Sequence, residues 1–343
     1  IIALSISNLL MYPHPLKSSV LVLICTMIGG IAFAQDPLFS QFYANPLYLN
    51  PALAGAERCP RVILNYRNQW PNINQAGGNY ITYHTSYDQH VDALSGGVGI
   101  SVMHDREGSG GIFKTNRVSL AYAYNQTVTK KFSMRFALEA TYFNKALDWS
   151  QLTFGDMIDE RYGFIYPTNE TPAADRVQGI DFSTGWLGYT KNFYGGFAVH
   201  HLTEPKVRYL LGEEAVIPRK LTMHAGWIIP LNKRFPDDGS ISPNILFQQQ
   251  GQEFGATPNA RQIFLGLYGN KGPFSGGIWY RGGDAFIFLV GIKTDYVRFG
   301  YSYDITTSKL TNRSGGSHEV STALLFNCKP KRKKFRPIAC PKF

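Results

Sequence analysis

Residues 131–143 read KFSMRFALEATYF. Phe132, Met134, Phe136, Leu138, Ala140 and Tyr142 fall on one side of an extended chain, and Lys131, Ser133, Arg135, Ala137, Glu139 and Thr141 on the other. Strand side chains alternate between faces, so this stretch has one apolar and one polar side. A water-soluble sandwich would turn the apolar side inward. A membrane barrel turns it out to lipid and encloses the polar side.

The rest of the chain decides between these. From residue 61 onward, short alternating or aromatic-rich segments are separated by turn residues. They predict fourteen strands, near 61–70, 78–88, 95–105, 112–125, 131–144, 178–190, 193–202, 220–230, 241–250, 260–269, 274–281, 284–294, 296–305 and 317–327. Their connections alternate in length. The odd ones include 145–177, 203–219, 251–259 and 306–316, whereas the even ones include Thr127–Lys130, Lys191-Asn192, Asn270–Pro273 and a tight turn at Asp295. Gly282-Gly283 is a short exception among the odd connections, and 231–240 is the longest even one. Long outer loops alternating with short periplasmic turns on an even number of strands is the pattern of bacterial outer-membrane barrels. The fold expected is therefore all-β: a transmembrane antiparallel β-barrel of about fourteen strands.

Composition agrees. Of 343 residues only 17% are charged, against roughly 25% in an average soluble domain. Aromatic residues make up 14%, and there are 34 glycines. Disorder needs few aromatics and much charge, and collagen or coiled coil needs a fixed repeat, so all three are excluded.

Residues 18–34, SSVLVLICTMIGGIAFA after Lys17, combine a positive residue, a short apolar run and a small-x-small end at Ala32-Phe33-Ala34. This reads as a signal peptide over 1–34, with Gln35 as the mature N-terminus and residues 1–10 as a non-native extension before Met11. Beyond residue 34 no apolar run of 18 occurs, which leaves strands as the means of crossing a membrane. The domain plan is then 1–34 signal peptide, 35–58 irregular segment, 59–328 barrel and 329–343 tail.

The net charge of +10 is concentrated in that tail, where 329–343 carries seven basic residues and no acidic one. Residues 35–328 hold 26 basic and 24 acidic side chains and are nearly neutral. An exported chain does not meet DNA, so no nucleic-acid partner is expected. Export permits disulfides among Cys59, Cys328 and Cys340: Cys328–Cys340 would clip the tail, and Cys59–Cys328 would join the start of the first strand to the end of the last.

Two end segments carry a resemblance. QDPLFSQFYANPLYLNPALAG (35–55) with NYRNQWP (65–71), and YSYDITTSKLTNRSGGSHEVSTALLF (301–326), are similar to the opening and closing motifs of the PorP/SprF family of Bacteroidota. The resemblance implies an outer-membrane β-barrel of type IX secretion, in some members of gliding motility. It implies a role in exporting or anchoring cell-surface proteins, with a secreted surface protein and periplasmic secretion components as partners. It implies a single barrel within a larger complex, no cofactor and no catalysis. The basic tail departs from the family pattern.

Within 35–58, Asn45-Pro46 and Asn50-Pro51 break any strand or long helix, because a residue before proline avoids the helical region. The segment is expected to be irregular and to lie inside or beneath the barrel, either as a plug or as a tether for the N-terminus. Asn50-Pro51-Ala52 also resembles the N-terminal hatch of FadL-type transporters of hydrophobic compounds, which supplies the alternative function. First and last strands are neighbours in a closed barrel, so a lumen-facing Arg67 is placed to pair with Asp304 or Glu319. With His318 these form a candidate polar cluster that closes the barrel or receives a partner.

Catalytic readings find little. None of the eight histidines stands in a zincin or nucleophile-elbow motif, and His104-Asp105 or His200-His201 read as polar residues at strand ends. Asp156, Asp159 and Glu160 supply calcium-type oxygens without the spacing of a calcium loop. No metal or cofactor site is expected.

Overall fold

The computed structural model describes residues 36–57, 59–76, 80–108, 111–159, 161–170, 174–207, 215–232, 234, 238–251, 260–308 and 314–326. The signal-peptide reading, Cys328, Cys340 and the basic tail lie outside the described residues.

Fourteen strands of eight residues or more form the wall. They are β1 Arg61–Gln69, β2 Tyr80–Val91, β3 Gly96–Glu107, β4 Phe113–Thr127, β5 Ser133–Leu147, β6 Arg176–Tyr189 and β7 Phe193–His200. They continue with β8 Lys220–Trp227, β9 Gly239–Gln250, β10 Ala260–Lys271, β11 Phe274–Arg281, β12 Ala285–Lys293, β13 Val297–Thr306 and β14 Ser317–Leu325. Each pairs antiparallel with the next, and β14 pairs with β1 to seal the sheet, Arg67 lying opposite Glu319. Closure leaves no edge strand, so every wall segment can satisfy its backbone within the sheet. Short two-residue strands add small hairpins in the connections after β5 and β7. Among the described residues no helix is long and apolar enough to cross a membrane.

The facing follows the sequence alternation. On β5, Phe136, Leu138 and Tyr142 are exposed on the outer wall, while Ser133, Arg135, Ala137, Glu139, Thr141 and Phe143 are buried inside. On β12, Phe286, Phe288, Val290 and Ile292 face outward and Ile287 and Leu289 inward. Most long connections gather at one end and most short turns at the other, with 228–238 and 282–284 as exceptions. Gly272, at φ +56°, makes the tight turn between β10 and β11 in a backbone region that costs other residues steric strain.

The core lies within the barrel. The chain from residue 36 to residue 57 threads the lumen as three single helical turns, Phe42–Ala44, Pro46–Leu49 and Pro51–Leu53, interrupted at Asn45 and Asn50. Asn50 caps the last turn, its side-chain oxygen accepting from the Ala52 N–H at 2.9 Å. Phe42, Leu47, Leu49 and Leu53 pack against wall residues that include Phe264, Trp279 and Tyr194. The Phe42 ring meets Trp279 edge-on with centroids 4.5 Å apart. These are apolar contacts inside an otherwise polar lumen, so they can hold only a segment shaped for this wall.

Candidate functional site

The lumen and the segment that fills it form the site. Segment 36–57 is fixed at four places, from the long-connection end to the short-turn end.

At the long-connection end, Asp36 is buried among cations. One carboxylate oxygen accepts from Arg117 Nη2, and the other lies 2.8 Å from His201 Nε2 and 4.0 Å from Lys220 Nζ. The backbone N–H of Asp36 donates to Gln250 Oε1 at 2.8 Å. Burial alone would raise the Asp36 carboxyl, but Arg117, His201 and Lys220 overcome it and hold it well below the usual carboxylate range. His201 follows β7 and bonds Asp181 through Nδ1 at 2.5 Å. Burial disfavours its cation, yet Asp36 and Asp181 raise its pKa above the ordinary value. Tyr48, Glu139 and His200 join these groups around a cavity of about 40 Å³, room for a few waters.

Beside it, also towards the long-connection end, the polar cluster ties the segment to the closing strands. Arg67 Nη2 meets Asp304 Oδ2 at 3.0 Å, and Nη1 meets Glu319 Oε2 at 3.1 Å. Arg281 Nη1 approaches Asp304 at 3.3 Å. The lumen segment joins this network. Ser40 N and Gln41 N donate to Glu319 at 2.7 and 3.1 Å, and the Ser40 hydroxyl donates to Asp304 at 2.6 Å. His318 stands apart, because it falls on the outward parity of β14 and bonds Tyr301 at 2.8 Å.

The third place is a window of glycines. Asn50 Nδ2 donates to the carbonyls of Trp186 and Phe197, at 3.1 and 3.2 Å. A Cβ on Gly185 would stand 2.2 Å from Asn50 Oδ1, and one on Gly97 would stand 2.1 Å from the Ala54 carbonyl. No side chain fits at either place while the segment is seated.

At the short-turn end, Glu57 pairs with Arg298 at 2.6 Å and Arg61 at 3.2 Å, and Arg61 also binds Asp88 at 2.6 Å. Cys59 is disulfide-bonded; its partner is outside the described residues, and the two pairings suggested by sequence remain proposals.

Sequence reasoning singled out Arg67, Asp304, Glu319 and His318, and the structure brings the first three together. It overlooked the Asp36 site, whose partners Arg117 and His201 lie 81 and 165 positions away. The one available signal was parity: Arg117 sits on the lumen side of β4, where a charge needs a partner. The histidines considered for catalysis do not converge. His104 bonds Asn116 at 2.7 Å, and His200 lines the internal cavity. Asp156 and Asp159 spend their oxygens within their own loop, on Thr168 and Asn169, and on Arg161, Tyr162 and Tyr166. Among the described residues, no group of three or more His, Cys, Asp or Glu could hold a metal ion.

One family model, described as type IX secretion system membrane protein PorP/SprF, matches residues 31–324. No curated protein matches. Similar solved structures include the toluene transporter TbuX of Ralstonia pickettii, 12% identical, with a TM-score of 0.47 over 82% of this chain and 93% of that one. A FadL homologue of Pseudomonas aeruginosa is 13% identical, with a TM-score of 0.47 over 88% and 97%. The outer membrane protein Omp33 of Acinetobacter baumannii is 8% identical, with a TM-score of 0.40 over 79% and 100%. No functional property transfers at such identities.

Proposed function

This chain belongs to the PorP/SprF family of type IX secretion membrane proteins, and we propose that it serves there as a closed docking barrel rather than as a conduit. It is an integral outer-membrane protein whose apolar outer wall suits lipid. The observation that carries the reading is the filled lumen. Segment 36–57 is held by ion pairs at both ends and nested against wall glycines between them. An axial passage would require breaking all these contacts together. The work is then left to the two ends. The long connections face outward and hold a secreted surface protein, while the short turns and the basic tail meet periplasmic secretion components. The protein supplies binding surfaces and no reaction chemistry.

Deleting the gene in the native bacterium tests this. Cell-surface proteins carried by type IX secretion should be lost from the surface, with uptake of hydrophobic compounds unchanged. Normal surface display with lost uptake would overturn the docking reading in favour of a transporter.

A further inference from the structure

The longest connection, 148–175 between β5 and β6, differs from the rest of the chain in charge. It holds six acidic side chains and one basic one, a quarter of all the Asp and Glu. Its tip is an ordered hairpin. Ile158 stands opposite Phe164, and the Met157 carbonyl accepts from the N–H groups of Ile165 and Tyr166 at 3.0 and 3.2 Å. Around that pair apolar surface is left open. Ile158, Tyr162, Phe164, Ile165 and Tyr166 are 49%, 69%, 58%, 54% and 49% exposed. On the wall such exposure is met by acyl chains. This hairpin lies past the Asn144–Gln178 pair, where the outer wall has already turned polar. Among the described residues, no other connection at the long-connection end exposes more than one large apolar side chain. An open apolar patch outside the lipid band marks an interaction site.

We propose that this hairpin grips a cationic, extended segment of the surface protein, whose aliphatic side chains cover the aromatic patch while its Lys or Arg residues meet the acidic rim. The proposal rests on the docking reading and names the chemistry of the partner. Asp159 lies within the patch. Its Oδ2 accepts from the Tyr166 hydroxyl at 2.8 Å, and its Oδ1 from the N–H groups of Arg161 and Tyr162 at 2.8 and 2.9 Å. These donors are neutral and leave the carboxylate its charge. The same holds for Asp156, which accepts from Thr168 and Asn169. Among the described residues none of Asp156, Asp159, Glu170 and Asp175 has a cationic partner. The one cation of the connection, Arg161, lies over the Tyr162 ring at 5.7 Å. The two short strands of the hairpin belong to no larger sheet, so their outer edges are open to an extended chain. The hairpin is fixed before the partner arrives, which limits the ordering entropy lost on binding. Charge rejects the other occupants. Outer-leaflet phosphates repel an acidic loop, and the chain's own basic tail follows β14, which ends at the short-turn end, across the membrane.

The test uses the full chain in phosphatidylcholine nanodiscs. Binding of a labelled short peptide of alternating lysine and valine is measured by fluorescence anisotropy, with a peptide of alternating glutamate and valine as the charge control. The lysine peptide should bind and the glutamate peptide should not. Tyr162→Ser with Phe164→Ser should weaken binding about thirtyfold, the size of an aromatic hot spot. Asp159→Asn, Glu170→Gln and Asp175→Asn together should weaken it about threefold per charge, on the order of thirtyfold in all, and high salt should erase this difference. Asp238→Asn with Asp295→Asn at the opposite end should change nothing. Heat-modifiable gel migration confirms that each variant is folded. No binding by the wild type, equal binding of the two peptides, or unchanged affinity in either loop variant would overturn the site. A Phe164→Trp variant whose added fluorescence is quenched by brominated lipid in the disc would put the patch on the membrane and overturn the occupant. Each of these failures would leave the docking reading standing, because that reading is judged by surface display.

Discussion

Replacing Arg67 by Met separates the energetic role of the closing cluster from its mere presence. Arg67 is 1% exposed, and Met keeps much of its volume while removing the charge. The change deletes the contacts to Asp304 at 3.0 Å and Glu319 at 3.1 Å, and the bond from Nη1 to the Ser40 hydroxyl at 2.7 Å. Arg281 then still meets Asp304 at 3.3 Å, while its Nε is already paired with Asp284 at 2.7 Å, and Glu319 loses its arginine. Removing one partner of a buried pair costs about 3–5 kcal/mol because a charge is left uncompensated. Here Glu319 keeps the N–H groups of Ser40 and Gln41, which places the expectation at the lower end, about 3 kcal/mol. Arg219→Met is the control. Its pair with Glu204 spans 3.1 Å, but the two side chains are 57% and 29% exposed, so the loss should be about 0–1 kcal/mol. Equilibrium urea unfolding of the full chain in lipid vesicles, followed by tryptophan fluorescence, measures both through the shift in midpoint at unchanged slope. Trp279 packs on Phe42 and so reports the lumen segment as well as the wall. Adding Glu319→Gln to Arg67→Met should recover part of the loss. If Arg67→Met proved no more costly than Arg219→Met, the cluster would not hold the closure together.

Three further outcomes are expected. Phe136→Arg, on the outer wall of β5, should cost roughly 2–4 kcal/mol near the middle of the apolar band, read as the folded fraction in vesicles; an unchanged fraction would reverse the strand's facing. Gly97→Ala should force its Cβ against the Ala54 carbonyl, costing about 1–3 kcal/mol by overpacking, and should open residues 36–57 to protease while the barrel stays heat-modifiable. The Asp36–His201 pair should make seating of the segment depend on pH. The folded pKa of Asp36 is depressed, so its contribution is present above the ordinary 3.8 and is lost as pH falls through the depressed value. That of His201 is raised, so its contribution is complete below 6.5 and is lost as pH rises through the raised value. Hydrogen exchange of residues 36–57 should therefore be slowest between these limits, and His201→Gln should remove the alkaline limb.

The wall was legible in the amino acids because its determinants are local. Strand alternation has a period of two, and turn residues mark the ends of each segment, so β5 and β12 could be oriented without knowing their neighbours. The proline breaks after Asn45 and Asn50 likewise declared an irregular segment. Pairing of Arg67 with Asp304 or Glu319 needed one further idea, that the first strand of a closed barrel meets the last. The Asp36 site could not be reached in this way. Whether Asp36 finds Arg117, His201 and Lys220 depends on how far the segment climbs through the lumen, and that height is set by packing of Phe42, Leu47 and Leu53 against walls contributed by distant strands. Local chemistry thus determines that a barrel forms and which side of it is apolar, while only long-range closure and register decide what its interior grips.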